Sequence, residues 1–163
     1  LDASRLSSGQ FTLTCNTCDV AALVKEVVDQ LRPVAPYHKF VVEIPDSPIT
    51  GNWDSGRIQQ ALGNLLDNAI KYSDEGTTIS VRVWQTPGKA HVSVHNQGVS
   101  IPVSDISQLF RPYGRLQAAS TQQGSGLGLY ITKSIVEAHG GTLRLEPPTS
   151  GGQGTTFSFD LPL

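Results

Sequence analysis

Apolar residues recur at helical spacing in three segments of the chain. The first two follow an aspartate or serine, residue types whose side chains cap helix starts, and the third ends at Gly140 and Gly141. Pro33 and Pro36 terminate the first segment. The predicted helices begin after Asp19, begin at Asp54 or Ser55 and reach about Tyr72, and run from Leu127 to His139.

Six short β-rich stretches between these helices predict strands, at residues 11–13, 40–44, 77–83, 90–94, 142–145 and 155–161. The segment Thr86-Pro87-Gly88-Lys89 has hairpin composition and predicts antiparallel pairing of its flanking strands, and residues 45–51 predict a turn. Helices and strands alternate, yet several strands form hairpins. We therefore predict an α/β (α+β) two-layer sandwich, with a mixed, largely antiparallel sheet and helices on one face.

Residues 96–126 lose this periodicity and are rich in Gly, Ser and Gln, apart from a short helical stretch at 103–110. Such a long irregular segment inside a domain is typical of a lid or a binding loop. Residues 1–10 break at Gly9 like the end of a helix, so we expect the end of an upstream region or linker there. The predicted domain spans residues 11–163.

The composition of this 163-residue chain limits the classes of partner that we expect for it. The net charge is −2 and no Lys/Arg cluster is visible, so we do not expect nucleic-acid binding. No apolar run approaches the roughly 18 residues of a membrane span, and a signal-peptide pattern is missing. We expect a cytoplasmic segment without membrane contact, whereas anchoring of the full-length protein stays open.

Cys15 and Cys18 could form a redox pair or half of a zinc site. No second cysteine pair exists, and the four histidines are scattered without ligand-like spacing. We therefore interpret both cysteines as unpaired structural thiols, which fits a reducing cytoplasm.

One side of the second helix carries chemistry. Asn64, Asn68 and Lys71 fall within an arc of roughly 60°, at about 100° per residue, opposite the apolar residues. A carboxamide oxygen suits Mg²⁺, and Lys71 could neutralise a phosphate. An ordinary solvated face is the alternative interpretation.

Two glycine segments add candidate ligand sites. Gly124-Ser125-Gly126-Leu127-Gly128-Leu129 opens directly into a helix, where free N–H groups and the helix dipole favour an anion. A Rossmann fingerprint needs a preceding strand, and a P-loop needs a Lys-Ser or Lys-Thr; both are missing. Asn96 and Gly98 follow the strand at 90–94, although an ordinary turn would also explain them.

In this order the segments resemble the sensor histidine kinases of the Bergerat-fold ATPase superfamily, from about Asp2 onward. The stretch 64–73 (NLLDNAIKYS) resembles that family's N box. The resemblance implies that Asn68 ligates Mg²⁺, that Asn64 and Lys71 approach the phosphates, and that Tyr72 lies toward the base and sugar.

Three further segments are similar to family motifs. Residues 109–115 resemble the lid's F box, which implies Phe110 as a lid anchor and Arg115 as a phosphate contact. Residues 124–129 match the second glycine box, and 154–157 the terminal Gly-Thr segment. The implied nucleotide-binding set is Asn64, Asn68, Lys71, Tyr72, Asn96, Gly98, Ile101, Phe110, Arg115, Gly124, Gly126, Leu127, Gly128, Leu129 and Thr156.

The first glycine box departs from the family pattern Asp-x-Gly-x-Gly. This chain has Asn96 in place of the acid and Ser100 in place of the second glycine. In the family the acid accepts a hydrogen bond from the adenine amino group; an Asn can still accept through its oxygen and also donate through its nitrogen. We interpret the site as altered but able to recognise adenine.

The resemblance implies a protein-histidine kinase domain that transfers the γ-phosphoryl group of Mg-ATP, with Asn64, Lys71 and Arg115 as catalytic residues. None of the histidines lies in the family's acceptor motif, so the acceptor belongs to a separate dimerisation domain of a homodimeric full-length protein, which then serves a response regulator. One alternative is an ATP hydrolase of the superfamily, which uses a Glu where this chain has Asn64; an amide cannot act as a base, and Asp67 lies about 60° round the helix. The other is a degenerate nucleotide-binding or docking module without kinase activity.

Overall fold

Two of the three helices in the described residues begin at the aspartates that the sequence predicted. The computed structural model describes residues 12–98, 128–146 and 154–163. Helix α1 is Val20–Leu31, and Asp19 caps it by accepting from the Ala21 amide at 3.0 Å. Helix α2 is Ser55–Tyr72, capped by Asp54, which accepts from the Arg57 amide at 3.2 Å. Helix α3 is Gly128–Ala138.

Seven strands form two sheets among the described residues. They are β1 (Asn16–Asp19), β2 (Lys39–Glu43), β3 (Thr50–Trp53), β4 (Thr78–Thr86), β5 (Lys89–Asn96), β6 (Leu143–Leu145) and β7 (Thr155–Pro162). The main sheet has the order β2-β4-β5-β7-β6, and β1 pairs with β3 separately. Only β2 and β4 run parallel in the main sheet; its other pairs are antiparallel. The predicted mixed, largely antiparallel sheet is confirmed.

The hydrophobic core lies between the helices and one face of the main sheet, which we call the inner face. Strands alternate, so every second residue of β5 and β7 points inward. These inward residues are Ala90, Val92, Val94, Asn96, Thr155, Phe157, Phe159 and Leu161, each no more than 7% exposed. Helix α2 packs Ile58, Leu62 and Leu65 against this core at 1% exposure or less. The apolar face of α2 is therefore fixed against the core, and the opposite face is available for other contacts.

The first strand was predicted in the wrong place, and the turn predicted at 45–51 includes the first two residues of β3, Thr50 and Gly51. Residues 12 and 13 have no strand structure, and β1 begins at Asn16. It pairs with β3, with Asn16 opposite Trp53. Trp53 is 1% exposed and its Nε1 donates to the Pro162 carbonyl at 3.1 Å. This contact with the other end of the chain overrides local propensity, which residues 45–51 alone do not reveal.

Several predictions lie outside the described residues. They concern residues 1–10 as part of an upstream region, Phe11 as the start of a strand, and the short helix at 103–110. The domain boundary at residue 11 therefore stays a prediction.

Candidate nucleotide site

Helix α2 presents the predicted polar side chains beside the start of α3. The Asn64 carboxamide donates from Nδ2 to the Gly128 carbonyl at 3.3 Å. A Cβ built on Gly128 would lie 4.0 Å from the Asn64 side chain, so the two helices come close here. Thr132, fully buried, donates to the same carbonyl at 2.8 Å. The polar face of α2 and the glycine-rich start of α3 therefore border one site.

Asn68 lies one turn beyond Asn64 and is half-buried. Within the described part of the chain, its carboxamide makes no hydrogen bond. Asn is a poor helix former, so a carboxamide that makes no hydrogen bond adds little to the stability of the helix. The oxygen of Asn68 is thus available to a hard cation.

Lys71 occupies the last turn of α2, and its ammonium is engaged. Its Nζ lies 3.0 Å from Asp67 Oδ2, and the two side chains are 32% and 56% exposed. Pairs at this helical spacing contribute only about 0.3–0.5 kcal/mol. A phosphate can therefore compete with Asp67 for Lys71 at small cost.

The end of α2 touches the turn after β5. Ser73 pairs with Gly98 in an isolated antiparallel β-bridge, and the Asp74 amide donates to the Gln97 carbonyl at 2.8 Å. A Cβ at Gly98 would lie 2.3 Å from the Tyr72 carbonyl oxygen, so only glycine fits there. The contact places Tyr72, which is 38% exposed, next to the C-terminal end of β5.

Asn96 ends β5 on the inner face and is 5% exposed. Its Nδ2 is buried and has no hydrogen-bond partner among the described residues. A buried polar group without a partner costs about 1–3 kcal/mol, which makes it a candidate ligand contact. Behind it, Gly154 has φ +110° and lies so close that an added Cβ would be 2.1 Å from the Asn96 carbonyl.

Thr155, rather than the predicted Thr156, lies beside Asn96. Thr155 pairs directly with Asn96 across β5 and β7, and it is buried on the inner face. Thr156 lies on the opposite face, where its Oγ1 is 2.7 Å from His95 Nδ1. The sequence held the signal, because Thr155 shares the period of two with Phe157 and Phe159.

The structure thus places Asn64, Asn68, Lys71 and Tyr72 on α2 and Gly128 at the start of α3, which contacts α2. Asn96 and Gly98 lie at the adjoining end of β5. Leu129 is half-buried and packs against the hydrophobic core. The predictions for Ile101, Phe110, Arg115, Gly124, Gly126 and Leu127 lie outside the described residues.

All four histidines have structural contacts. His38 Nδ1 lies 3.0 Å from the Thr77 carbonyl, His91 Nε2 2.6 Å from Thr86 Oγ1, and His95 bonds Thr156 as described. His139 Nε2 accepts from the Asp54 amide at 3.0 Å, and its Nδ1 lies 2.8 Å from the Ile135 carbonyl. These contacts fit a structural role for each histidine.

The two cysteines are free thiols, as predicted. Burial raises the pKa of the Cys18 thiol, although its contact with the Trp53 carbonyl opposes this. No group of three or more His, Cys, Asp or Glu residues suited to a metal is found in residues 12–98, 128–146 and 154–163. Over those same ranges, none of the helices has both the length and the apolar character needed to cross a membrane.

Known proteins resemble this chain over most of its length. A family model described as Histidine kinase-, DNA gyrase B-, and HSP90-like ATPase matches residues 53–163. The chain is 31% identical to the sensor histidine kinase WalK of Bacillus subtilis (strain 168) over 99% of its length, and 38% identical to the signal transduction histidine-protein kinase/phosphatase MprB of Mycobacterium sp. (strain KMS) over 90%. It spans 27% and 28% of the length of these two relatives.

Solved structures give the same result. The mycobacterial sensor histidine kinase MprB matches with a TM-score of 0.81 and 31% identity, covering 91% of this chain and 97% of that one. Full-length ShkA in complex with AMPPNP matches with a TM-score of 0.84 and 25% identity, covering 99% of this chain and 34% of that one. Because the family match covers more than half of the residues, this chain belongs to the histidine kinase-, DNA gyrase B- and HSP90-like ATPase family.

Proposed function

We propose that this domain binds Mg-ATP between α2, the start of α3 and the end of β5, and that it transfers the γ-phosphoryl group to a histidine on another domain. The observation that carries the proposal is the hydrogen bond from Asn64 to the Gly128 carbonyl. It holds two carboxamides and one ammonium beside a helix start, where free amides favour a phosphate.

The residues at the phosphate end fit a magnesium nucleotide. Mg²⁺ keeps several waters and takes one or two protein oxygens while phosphates supply the rest, so the Asn68 oxygen is a sufficient protein ligand. When bound, the ion neutralises charge that develops on the phosphoryl oxygens. Lys71 moves from Asp67 to a phosphate, and Arg115 is proposed as a second cationic contact.

The residues at the strand end fit a purine. Asn96 offers a buried, unpaired carboxamide nitrogen, and Thr155 adds a buried hydroxyl-bearing side chain next to it. Gly98 allows Tyr72 to approach this position. We therefore propose Thr155 as a nucleotide-site residue in place of Thr156.

Transfer to a separate histidine is favoured over hydrolysis by the chemistry of α2. Asn64 occupies the position at which a base would activate water, and its carboxamide already donates to Gly128. Asp67 is the nearest carboxylate in sequence, but it lies about 60° round the helix from Asn64, and its side chain is 56% exposed. With no base assigned, the domain accelerates transfer by positioning and charge stabilisation, and the partner supplies the nucleophile.

The names of the longer relatives support a wider proposal. WalK and MprB are named as histidine kinases, and this chain spans about a quarter of each. We propose a dimerisation domain bearing the acceptor histidine in the same full-length homodimer, followed by a response regulator as the phosphoryl acceptor.

Titration calorimetry with a non-hydrolysable ATP analogue tests the metal and nucleotide site. Binding is expected with Mg²⁺ and is expected to be lost in Asn68→Ala, because that change removes the protein's metal oxygen. Asn52→Ala, which alters an exposed Asn on β3, is the matched control and keeps binding. Equal affinity in wild type and Asn68→Ala would contradict the metal assignment.

A supplied acceptor domain then separates the activities. Phosphorylation of its histidine supports the kinase proposal. Binding without transfer identifies a docking module, and steady release of phosphate without an acceptor identifies a hydrolase.

A further inference from the structure

We infer that Asn96 broadens the base specificity of this site, so that it takes 6-oxopurine nucleotides as well as 6-aminopurine nucleotides. This inference rests on the proposed nucleotide site. It starts from one feature of Asn96: a buried carboxamide nitrogen without a hydrogen-bond partner among the described residues, on a side chain that is 5% exposed in total.

The free group on Asn96 is a donor. A carboxamide nitrogen carries two N–H bonds, and a ligand that satisfies them must present an acceptor. Asn96 ends β5 on the inner face, next to the buried Thr155, so a base that binds beside these two residues can meet this donor. The unmet donor therefore selects for an acceptor on the base edge.

Both purine classes offer that acceptor at adjacent ring positions. A 6-aminopurine presents ring nitrogen N1, and a 6-oxopurine presents the exocyclic O6. A carboxylate at this position could only accept, so it would suit an amino group and oppose the electron pairs of O6. Asn96 lacks this repulsion, because its nitrogen serves either acceptor.

The neighbouring backbone restrains the position of Asn96. The backbone of Gly154 passes so close to the Asn96 carbonyl that an added Cβ would lie 2.1 Å from it. Asn96 is also paired on both sides, with Ile79 of β4 and Thr155 of β7. The specificity therefore depends on which atoms the side chain carries, and Asn96→Asp changes those atoms while keeping the shape.

Inosine triphosphate is the probe, because it differs from ATP only in the groups at positions 1 and 6 of the ring. For the wild-type chain with Mg²⁺, we expect the two dissociation constants to lie within about tenfold of each other. In Asn96→Asp, the ratio of the inosine triphosphate dissociation constant to the ATP dissociation constant is expected to rise by about tenfold or more, as expected when a buried polar group is left opposed or unpaired.

Each outcome decides between the inference and its alternatives. If the wild type binds ATP but binds inosine triphosphate more than about tenfold more weakly, the inference is wrong and the proposed function stands. If both nucleotides bind and Asn96→Asp changes neither, Asn96 does not read the base. If neither nucleotide binds with Mg²⁺, the proposed nucleotide site itself fails, and the inference fails with it.

Discussion

Replacement of Gly98 by alanine tests the contact on which the strand end of the site depends. The new Cβ would lie 2.3 Å from the Tyr72 carbonyl oxygen and 3.3 Å from the Ser73 Cα. Both neighbours are backbone atoms, so neither can turn away as a side chain would. Non-bonded heavy atoms prefer about 3.5 Å, so the end of α2 and the turn after β5 must separate by roughly 1 Å.

This separation has a cost that can be measured. Forcing one extra carbon into a packed contact costs about 1–3 kcal/mol. In a domain of this size each kcal/mol lowers the melting temperature by about 2–4 °C, so a decrease of about 2–12 °C is expected. Mg-ATP affinity is also expected to fall, because Tyr72 and Asn96 lie on opposite sides of the disturbed contact.

Urea unfolding and calorimetry with Mg-ATP measure the two effects of Gly98→Ala. The matched control is Gly63→Ala, because nothing lies within 4 Å of a Cβ at this helical position. Alanine there is expected to stabilise the domain by about 0.5–1 kcal/mol and to leave affinity unchanged. If Gly98→Ala unfolded at the same urea concentration as wild type and bound Mg-ATP equally well, the close approach of the two backbones would be refuted.

Three further substitutions or modifications have defined outcomes. Asp67→Asn releases Lys71 from its ion pair, so Mg-ATP affinity by calorimetry should rise about twofold; a decrease would mean that Asp67 itself serves the ligand. His139→Ala removes the bond to the amide at the start of α2 and should destabilise the domain by about 1–3 kcal/mol in urea. His91→Ala removes an exposed cross-strand contact with Thr86 and should cost less, about 0.2–1 kcal/mol. Equal effects would contradict the structural role of His139. Burial raises the pKa of Cys18 above its unfolded value, so its stabilising contribution is present at neutral pH and is lost as the pH rises above about 8.5. With the other cysteine replaced by serine, iodoacetamide at pH 8 should label the folded protein more slowly than the urea-unfolded protein, and equal rates would show that the thiol is not protected.

Local sequence signals predicted the starts of two helices and the polar face of α2 in the candidate site. Asp19 and Asp54 could be identified as caps because a cap needs only its own side chain and the next few amides. The polar face of α2 could be predicted because helical spacing alone separates Asn64 and Asn68 from the buried Leu65. Both features depend on residues within a few positions of each other.

Contacts between distant parts of the chain could not be predicted in the same way. The pairing of β1 with β3 is tied to Trp53, whose partner is the Pro162 carbonyl 109 residues away. The closeness of Gly98 to Tyr72 is a backbone contact, which leaves no pattern in the side chains. Thr155 was identifiable from the alternation of the predicted strand at 155–161, which places it on the same face as Phe157 and Phe159.

Helix α2 is held at three points, and together they explain why binding and stability should be linked in this domain. Its start is bonded to His139 beyond the end of α3, its middle to Gly128 at the start of α3, and its end contacts Gly98. The first two contacts require α2 and α3 to run in opposite directions. A nucleotide held by the polar face of α2 and the start of α3 would therefore reinforce the Asn64 contact that already joins the two helices. A ligand that binds only the folded form raises the free energy of unfolding as the ligand concentration increases above the dissociation constant. Thermal unfolding should shift upward with Mg-ATP concentration in the wild type, and this shift should vanish in Asn68→Ala while the midpoint without ligand stays within a few degrees of wild type.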